Sequence, residues 1–549
     1  MGIAVDYDRL QAARDACLAQ VRDRRRRRLR PAVVSLYAAT SVGWEFRGRV
    51  TGMFSDSFEL VRNDTGKAEI VLPGTHHLAL WAARHWERDK KNVMLRMDKD
   101  GVRWCGLMEN ITYEAEGVGR HVASLEFMHD YEQLKHLPVW SNPMSIPEVQ
   151  IPDPWAMLAP VIWNLKLLAM LNLVRAYSVL SGLPDDPLNF ESWLSQWDWR
   201  RFPVIVKPGA LVLDSSPFRF VSAETGQSWD EVAKPLLDDC HLSVTLDRWF
   251  PGDPDPWPGA RLRMPGQIVM DIVDKSGWWE DTLTGGTIFH GAARTVLELA
   301  DDGVEEVRRA VDRKSESTRY AVSGFLGVDP KVPAVSYRTT GRWATAQASW
   351  SHSPATVGQV IVGGSSMPGV NETLSATTKL IFNLLGSFFL MPGFGAVAEE
   401  FIGPTYRDKI MAWMALKLTL RTMQTGHGGY IGAVKGGVQA YTLPALLELR
   451  TLARETEAKT GVTLKVEDAG PYLVGEHYTL GDRISYEVPV SRDGRLEFGV
   501  VEKLRLSSSA SQAYSWEVTV GDWPRRDFVE HVIGEIRRVV GAAKKGGLL

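Results

Sequence analysis

The residues best able to do chemistry are few and scattered. His76, His77 and His85 form the densest histidine group. A structural or catalytic zinc needs three or four converging ligands. His77 and His85 stand eight residues apart, about two helical turns, and no carboxylate follows at ligand spacing. A partly buried helix accounts for them better. Cys240-His241 places a thiol beside an imidazole in sequence. A nucleophile and its base are assembled in space rather than by adjacency, so a structural thiol is the simpler reading. Asp238-Asp239 and Glu399-Glu400 become an acid pair only if the fold sets their separation. H-E-x-x-H, G-x-S-x-G and Walker A patterns are missing from the sequence. Gly363-Gly364 and Gly426-His427-Gly428-Gly429 lack the Lys-Ser/Thr that would help hold a phosphate. No catalytic residue, metal ligand or cofactor is expected.

Two other stretches have chemistry suited to contact. Arg24, Arg25, Arg26, Arg27 and Arg28 are consecutive, followed by Arg30 and Pro31. Cations in the last turns of a helix suit its dipole. Two readings stand: a solvated helix end, or a contact with a polyanion, an acidic partner or a lumen. The second stretch is 380–398, nineteen residues without a charge. It holds Leu384, Leu385, Phe388, Phe389, Leu390, Met391 and Phe394, and Pro392-Gly393 breaks any helix there. Its length approaches a membrane span. Three readings stay open: a buried hairpin in a core or subunit interface, a segment that enters a membrane at some stage, or a permanent span.

The elements that must carry these stretches follow from composition and period. The chain has 549 residues, 44% hydrophobic and 23% charged, with net charge −3. That length implies several domains of a globular protein. The charge balance argues against a nucleic-acid coat or sequence-specific nucleic-acid binding. Three cysteines cannot build a disulfide framework, which fits folding in a reducing cytoplasm. Asp6 and Asp8 interrupt any signal-type apolar region. Twenty tryptophans are a surplus, to be placed in β-cores or at interfaces.

Leu10, Ala13, Cys17, Leu18 and Val21 recur at helical spacing, giving a basic helix over 1–31. Short alternating strands over 32–135 read as a first β-barrel or sandwich, interrupted by a helix near 76–89. Asp98-Lys99-Asp100-Gly101 marks a hairpin within it. A Pro-rich arm and an apolar helix, from Trp155 to about 180, occupy 136–202. Mixed α/β structure fills 203–334, with a helical stretch from Trp229 to Arg248. Strands return over 335–371 and 460–523 as a discontinuous second β-domain, with a helical insertion over 372–459. A C-terminal helix and tail occupy 524–549. The class is α+β, multidomain.

This order of elements resembles a known family. It is carried by Val102-Arg103-Trp104-Cys105-Gly106-Leu107-Met108, Pro392-Gly393-Phe394-Gly395, Tyr406-Arg407-Asp408-Lys409, Ala440-Tyr441-Thr442-Leu443 and a run from Pro471 to Arg483 ending Leu480-Gly481-Asp482-Arg483. It is similar to the minor tail proteins of long-tailed actinobacterial phages, the Gp37-like group of baseplate hub or tail-tip proteins. The resemblance implies a structural virion protein, not an enzyme, assembled in the host cytoplasm and placed at the tail tip. It implies a homotrimer with two β-barrels per chain, so that three chains present six barrels to a hexameric tube. Its partners would be the distal tail protein or tube end, the tape-measure protein and other minor tail proteins, with transient host membrane contact through 380–398. Its roles would be closing the tube, host attachment and DNA ejection. Some related hubs carry C-terminal lysin domains, which this chain is expected to lack. The alternative is a tail-associated cell-wall hydrolase or esterase with an unrecognised site.

Overall fold

The structure is a computed structural model. It describes residues 7–116, 120–142, 155–177, 198–277, 286–292, 294, 333–338, 347–355, 357–365, 413–418, 421–423, 428–439, 449, 452–453, 456, 459–466, 472–487 and 496–521. Two compact units are present: 1–350 with 461–549, and 351–460.

In the first unit, α1 (Tyr7–Leu29) leads into β1 (Val33–Thr40), β2 (Gly43–Arg49), β3 (Ser55–Val61) and β4 (Lys67–Pro73). Next come α2 (His77–Ala83), β5 (Val93–Lys99), β6 (Val102–Glu116), β7 (Arg120–His129) and α3 (Glu132–Lys135). The β5–β6 hairpin turns through Asp100 (φ 48°) and Gly101 (φ 92°). Both central residues are left-handed, as a tight two-residue hairpin with right-twisted strands requires.

The next region is β8 (Trp155–Pro160), α4 (Val161–Tyr177), β9 (Val204–Val206), β10 (Phe218–Ala223), α5 (Trp229–Asp239), β11 (Leu242–Trp249) and β12 (Gln267–Asp274). Two helices expected here are shorter than the periodicity suggested. Residues 155–160 pair antiparallel with β10, from Trp155↔Ala223 to Pro160↔Phe218. Pro160 explains the switch, because proline disfavours helix at the residue before it and tolerates the first helical turn after it. Likewise α5 stops at Asp239. His241 takes a left-handed φ of 54°, and the alternating residues of β11 pair with β12 over eight positions.

Strands β13 (Ser336–Tyr337), β19 (Arg483–Glu487), β20 (Leu496–Ser509) and β21 (Gln512–Gly521) complete the first unit. β14 (Gln347–Ser353) leads the chain out of it and β18 (Lys459–Val466) leads back. The second unit holds β15 (Gln359–Ser365), β16 (Trp413–Lys417) and β17 (Ala433–Gln439), paired in the order β16-β15-β17. Thus the described part of 372–459, expected to be helical, includes two strands. Trp413-Met414-Ala415-Leu416-Lys417 alternates, with Leu416 packed against a small core around Val360 and Val362.

The two β-regions of the first unit are joined. The ladder runs β18-β21-β20-β3-β4-β7-β6-β5-β1-β2, with β19 also on β20. Its seam is β3–β20, seven antiparallel pairs from Ser55↔Ser509 to Val61↔Lys503. One hydrophobic core crosses the seam, with Phe58, Leu72, Leu95, Trp104 and Phe127 on one side and Leu504, Leu506, Trp516 and Val518 on the other. Among the described residues the main ladder is an open path ending at β2. A second core is built by α4 and α5 over the small sheets, around Leu165, Leu168, Trp229, Leu236 and Met270. Tryptophan serves both cores. Trp104 donates Nε1–H to the Glu59 carbonyl at 2.8 Å, and Trp229 donates to the Leu165 carbonyl at 3.1 Å.

Candidate assembly site

The apolar helix α4 is anchored at its start by one loop. The Val161 amide donates to the Pro217 carbonyl, the Ile162 amide to Ser216 Oγ at 3.1 Å and the Trp163 amide to Asp214 Oδ2 at 2.8 Å. These three amides have no partner within a helix. The two charges on α4 are also placed. Lys166 pairs with Asp271 at 2.5 Å, and the Arg175 guanidinium lies 4.1 Å from the Trp140 ring centroid.

The large sheet is tied to the second core through the β3–β4 turn, Asn63-Asp64-Thr65-Gly66. Asn63 adopts φ 49°, a conformation asparagine tolerates better than most residues. A Cβ on Gly66 would stand 1.9 Å from the Glu59 carbonyl oxygen, so only glycine fits there. The buried Asn63 donates Nδ2–H to the Leu242 carbonyl at 2.9 Å and accepts the Val244 amide at 3.0 Å. It therefore takes the place of a strand neighbour at the start of β11. Arg62 bridges Glu502 at 3.1 Å and Asp238 at 3.2 Å, linking β20 to α5. Asp64 meets Lys135 and Lys234, each at 2.6 Å. Burial alone would raise the Asp64 pKa; the two ammonium groups and the Thr65 amide outweigh it and hold the carboxyl at about 2.

A second tie is fully buried. Arg248 of β11 makes a two-pronged pair with Asp130, at 2.7 and 2.6 Å, and donates to the Gly266 carbonyl at 2.9 Å. Burial disfavours the charged guanidinium, but Asp130 outweighs this and raises its pKa. Arg103 adds Asp98 and Asp253, each at 3.0 Å, and Lys275 reaches Asp482 at 2.6 Å. Such pairs fix geometry more than they add net stability. The first unit is thereby pinned as one scaffold.

Several residues singled out from sequence have structural duties. His76 caps α2, its Nδ1 accepting the Leu78 amide at 3.2 Å, and stacks on His77. His85 sits in a short 3-10 turn against Trp86. Cys240 is buried at the end of α5. Asp238 and Asp239 are drawn apart, one to Arg62 and the other to Arg219 at 2.9 Å. Among the described residues no group of three His, Cys, Asp or Glu could hold a metal, and no helix is long and apolar enough to cross a membrane.

The predicted contact residues divide. Leu384, Leu385, Phe388, Phe389, Leu390, Met391 and Phe394 lie outside the described residues, as does Glu399-Glu400. Arg24, Arg25, Arg26, Arg27 and Arg28 all fall in the last turns of α1. Arg26 is exposed, and Arg27 pairs with Asp23 and with Glu476, both at 2.9 Å. The ties through Asn63, Arg62 and Arg248 have no sequence motif; the left-handed Asn-Asp-x-Gly turn is their one local sign. The surface of the first unit also exposes Leu158, Val212, Leu213 and Phe289, each about two-thirds exposed or more. Apolar side chains so presented mark contact surfaces when they cluster.

A family model described as Siphovirus ReqiPepy6 Gp37-like protein matches residues 39–522. The chain is 31% identical to "Minor tail protein Gp28" of Mycobacterium phage D29, over 96% of each chain. It is 30% identical to "Minor tail protein Gp28" of Mycobacterium phage L5, over 92% of this chain and 93% of that one. Among solved structures, a tail protein from Neisseria meningitidis MC58 covers 92% of this chain and 99% of its own at 10% identity and TM-score 0.38. The 43 kDa tail protein of prophage MuSo2 from Shewanella oneidensis covers 90% and 99% at 8% identity and TM-score 0.41.

Proposed function

The chain belongs to the Siphovirus ReqiPepy6 Gp37-like protein family, and from that premise we propose that it is a minor tail protein forming a trimeric hub at the tip of a phage tail. Its place as a structural component of the virion tail rests on one observation: end-to-end similarity to two mycobacteriophage minor tail proteins. The finer reading is that three copies close the tail tube and take part in host attachment and DNA ejection. Their partners are the distal tail protein or tube end, the tape-measure protein and other minor tail proteins. A scaffold pinned by buried ion pairs supports it, because a component under load at a tube end needs fixed internal geometry.

In this reading each chain brings its two β-regions, joined through β3–β20, to the ring at the tube end, and 380–398 packs near the threefold axis. Release of that segment would bring it to the host membrane. The basic end of α1 faces an acidic partner or the tube lumen. The name of the relatives supports a non-enzymatic role; peptidoglycan hydrolysis by the purified chain in zymography would contradict it. Native mass measurement on the purified chain tests the trimer. Three times 61.2 kDa is expected, and a stable monomer both in solution and in the particle would refute it.

A further inference from the structure

The three-stranded sheet of the second unit carries apolar side chains on both faces. Val360 and Val362 of β15, Leu416 of β16 and Ala433 of β17 share one face, packed with Leu449 and Leu452. Successive residues of a strand point to opposite faces. Ile361, paired with Ala415 on one side and Val434 on the other, therefore forms a row across the second face, and Trp413 lies on the same side. Trp413 is 46% exposed and Val434 62%. Ala415 is exposed and Ile361 half-buried. Gln359 and Lys417 make the opposite end of this face polar. A sheet face left to water normally alternates to polar residues, so an apolar one calls for cover.

The connectivity specifies the occupant. β15 ends at Ser365 and β16 begins at Trp413, and Gly363 pairs with Trp413. The connection between them therefore leaves from and returns to one end of the sheet, the end where the second face is apolar. Neighbouring antiparallel strands can be joined by two residues; this connection has 47. At its centre is 380–398, the stretch of nineteen uncharged residues, with 14 residues between it and each strand. Fourteen residues can reach up to about 46 Å, whereas the seven residues of β15 span about 23 Å. Both flanks are thus long enough to lay the apolar stretch along the face. Attachment through its own flanks gives it the advantage of an intramolecular contact over a second copy.

We propose that the second face of β16-β15-β17 is the docking surface for the chain's own residues 380–398, which bury Trp413, Ala415, Ile361 and Val434 as a further layer of the second unit. The inference goes beyond the hub reading and holds for a single chain. At the axis, other copies would meet the surface that the docked stretch leaves outward.

The test uses the full chain with Cys17→Ser, since Cys105 and Cys240 are buried, and Val434→Cys as the reporter. Val42→Cys, at a position 57% exposed, is the reference. Maleimide should label position 434 about ten-fold or more slower than position 42, because the docked stretch must first open. Phe388→Asp with Phe389→Asp should raise the rate at 434 to that of the reference. Should the aspartates loosen the whole unit, labelling rises for that reason too, and a cross-link decides. A diazirine amino acid is placed at position 434 in the otherwise unaltered chain, and light and heavy-isotope chains are mixed before illumination. Cross-links mapped by mass spectrometry should join position 434 to 380–398 of the same chain.

Fast labelling at 434 beside the unaltered stretch, or slow labelling that the two aspartates leave unchanged, overturns the proposal. So do cross-links between light and heavy chains, which would make the occupant a second copy. Cross-links to any other part of the chain, or reaction with water alone, overturn it as well. None of these outcomes depends on the trimer or on a place at the tail tip, which native mass and microscopy of the particle read separately.

Discussion

Removing Asp130 should expose how much of the first unit's integrity hangs on one buried pair. Its side chain and that of Arg248 are 1% and 3% exposed, and the two share two short hydrogen bonds, at 2.6 and 2.7 Å. In Asp130→Ala the guanidinium keeps the Gly266 carbonyl but loses its buried counter-charge. Breaking a buried pair from one side costs about 3–5 kcal/mol. At about 1.4 kcal/mol per decade, amides of β7 and β11 that exchange through this opening should exchange roughly 100- to 4000-fold faster. Hydrogen exchange resolved by mass spectrometry reads that directly, and it suits a chain of two units better than a single melting temperature. Replacing both partners, Asp130→Leu with Arg248→Met, removes the unpaired charge. It should recover most of the loss, since apolar replacement of a buried pair is often neutral or stabilising. A loss below about 1 kcal/mol in Asp130→Ala, or a double variant no better than the single one, would refute the view of this pair as a tie between sheet and second core.

Asp64 should give a pH signature. Its pKa is lowered to about 2, so its pairing stabilises the fold above the ordinary carboxylate pKa of about 3.9 and is lost as pH falls through about 2. The difference in thermal midpoint between wild type and Asp64→Asn should narrow steadily from pH 5 downwards; a constant difference would contradict the lysine pairing. Gly106→Ala should destabilise by about 1–3 kcal/mol, because the new Cβ would stand 2.2 Å from the Met128 carbonyl oxygen and 2.5 Å from the Trp104 ring; an unchanged urea midpoint would show that β6 and β7 can shift freely. Phe388→Asp with Phe389→Asp would place six charges near the proposed threefold axis of a trimer and should abolish trimers on native mass measurement; normal trimers would remove 380–398 from the axis.

What sequence makes legible is local. The β5–β6 hairpin follows from Asp-Gly between alternating runs, and α1 from helical spacing ended by Pro31. The start of α5 is likewise local: Ser228 and Glu231 form a reciprocal cap. Periodicity misled where a buried strand and a buried helix adjoin, since both are simply apolar. Residues 155–177 are one hydrophobic run that Pro160 divides, and residues 229–249 change from helix to strand at a left-handed histidine. The β3–β20 seam was not legible, because it pairs strands separated by more than 400 residues. The ties are as remote: Arg248 and Asp130 lie 118 residues apart, Arg62 and Glu502 440. An arginine's sequence neighbourhood does not say which carboxylate will reach it.

Cryo-electron microscopy of the intact tail tip bears most directly on the account. Three copies of this chain should surround the tail axis at the distal end of the tube, each contributing its β3–β20-linked sheet to the ring. A tip built from six copies or from one, or a tail in which this chain is absent from the tip, would contradict it.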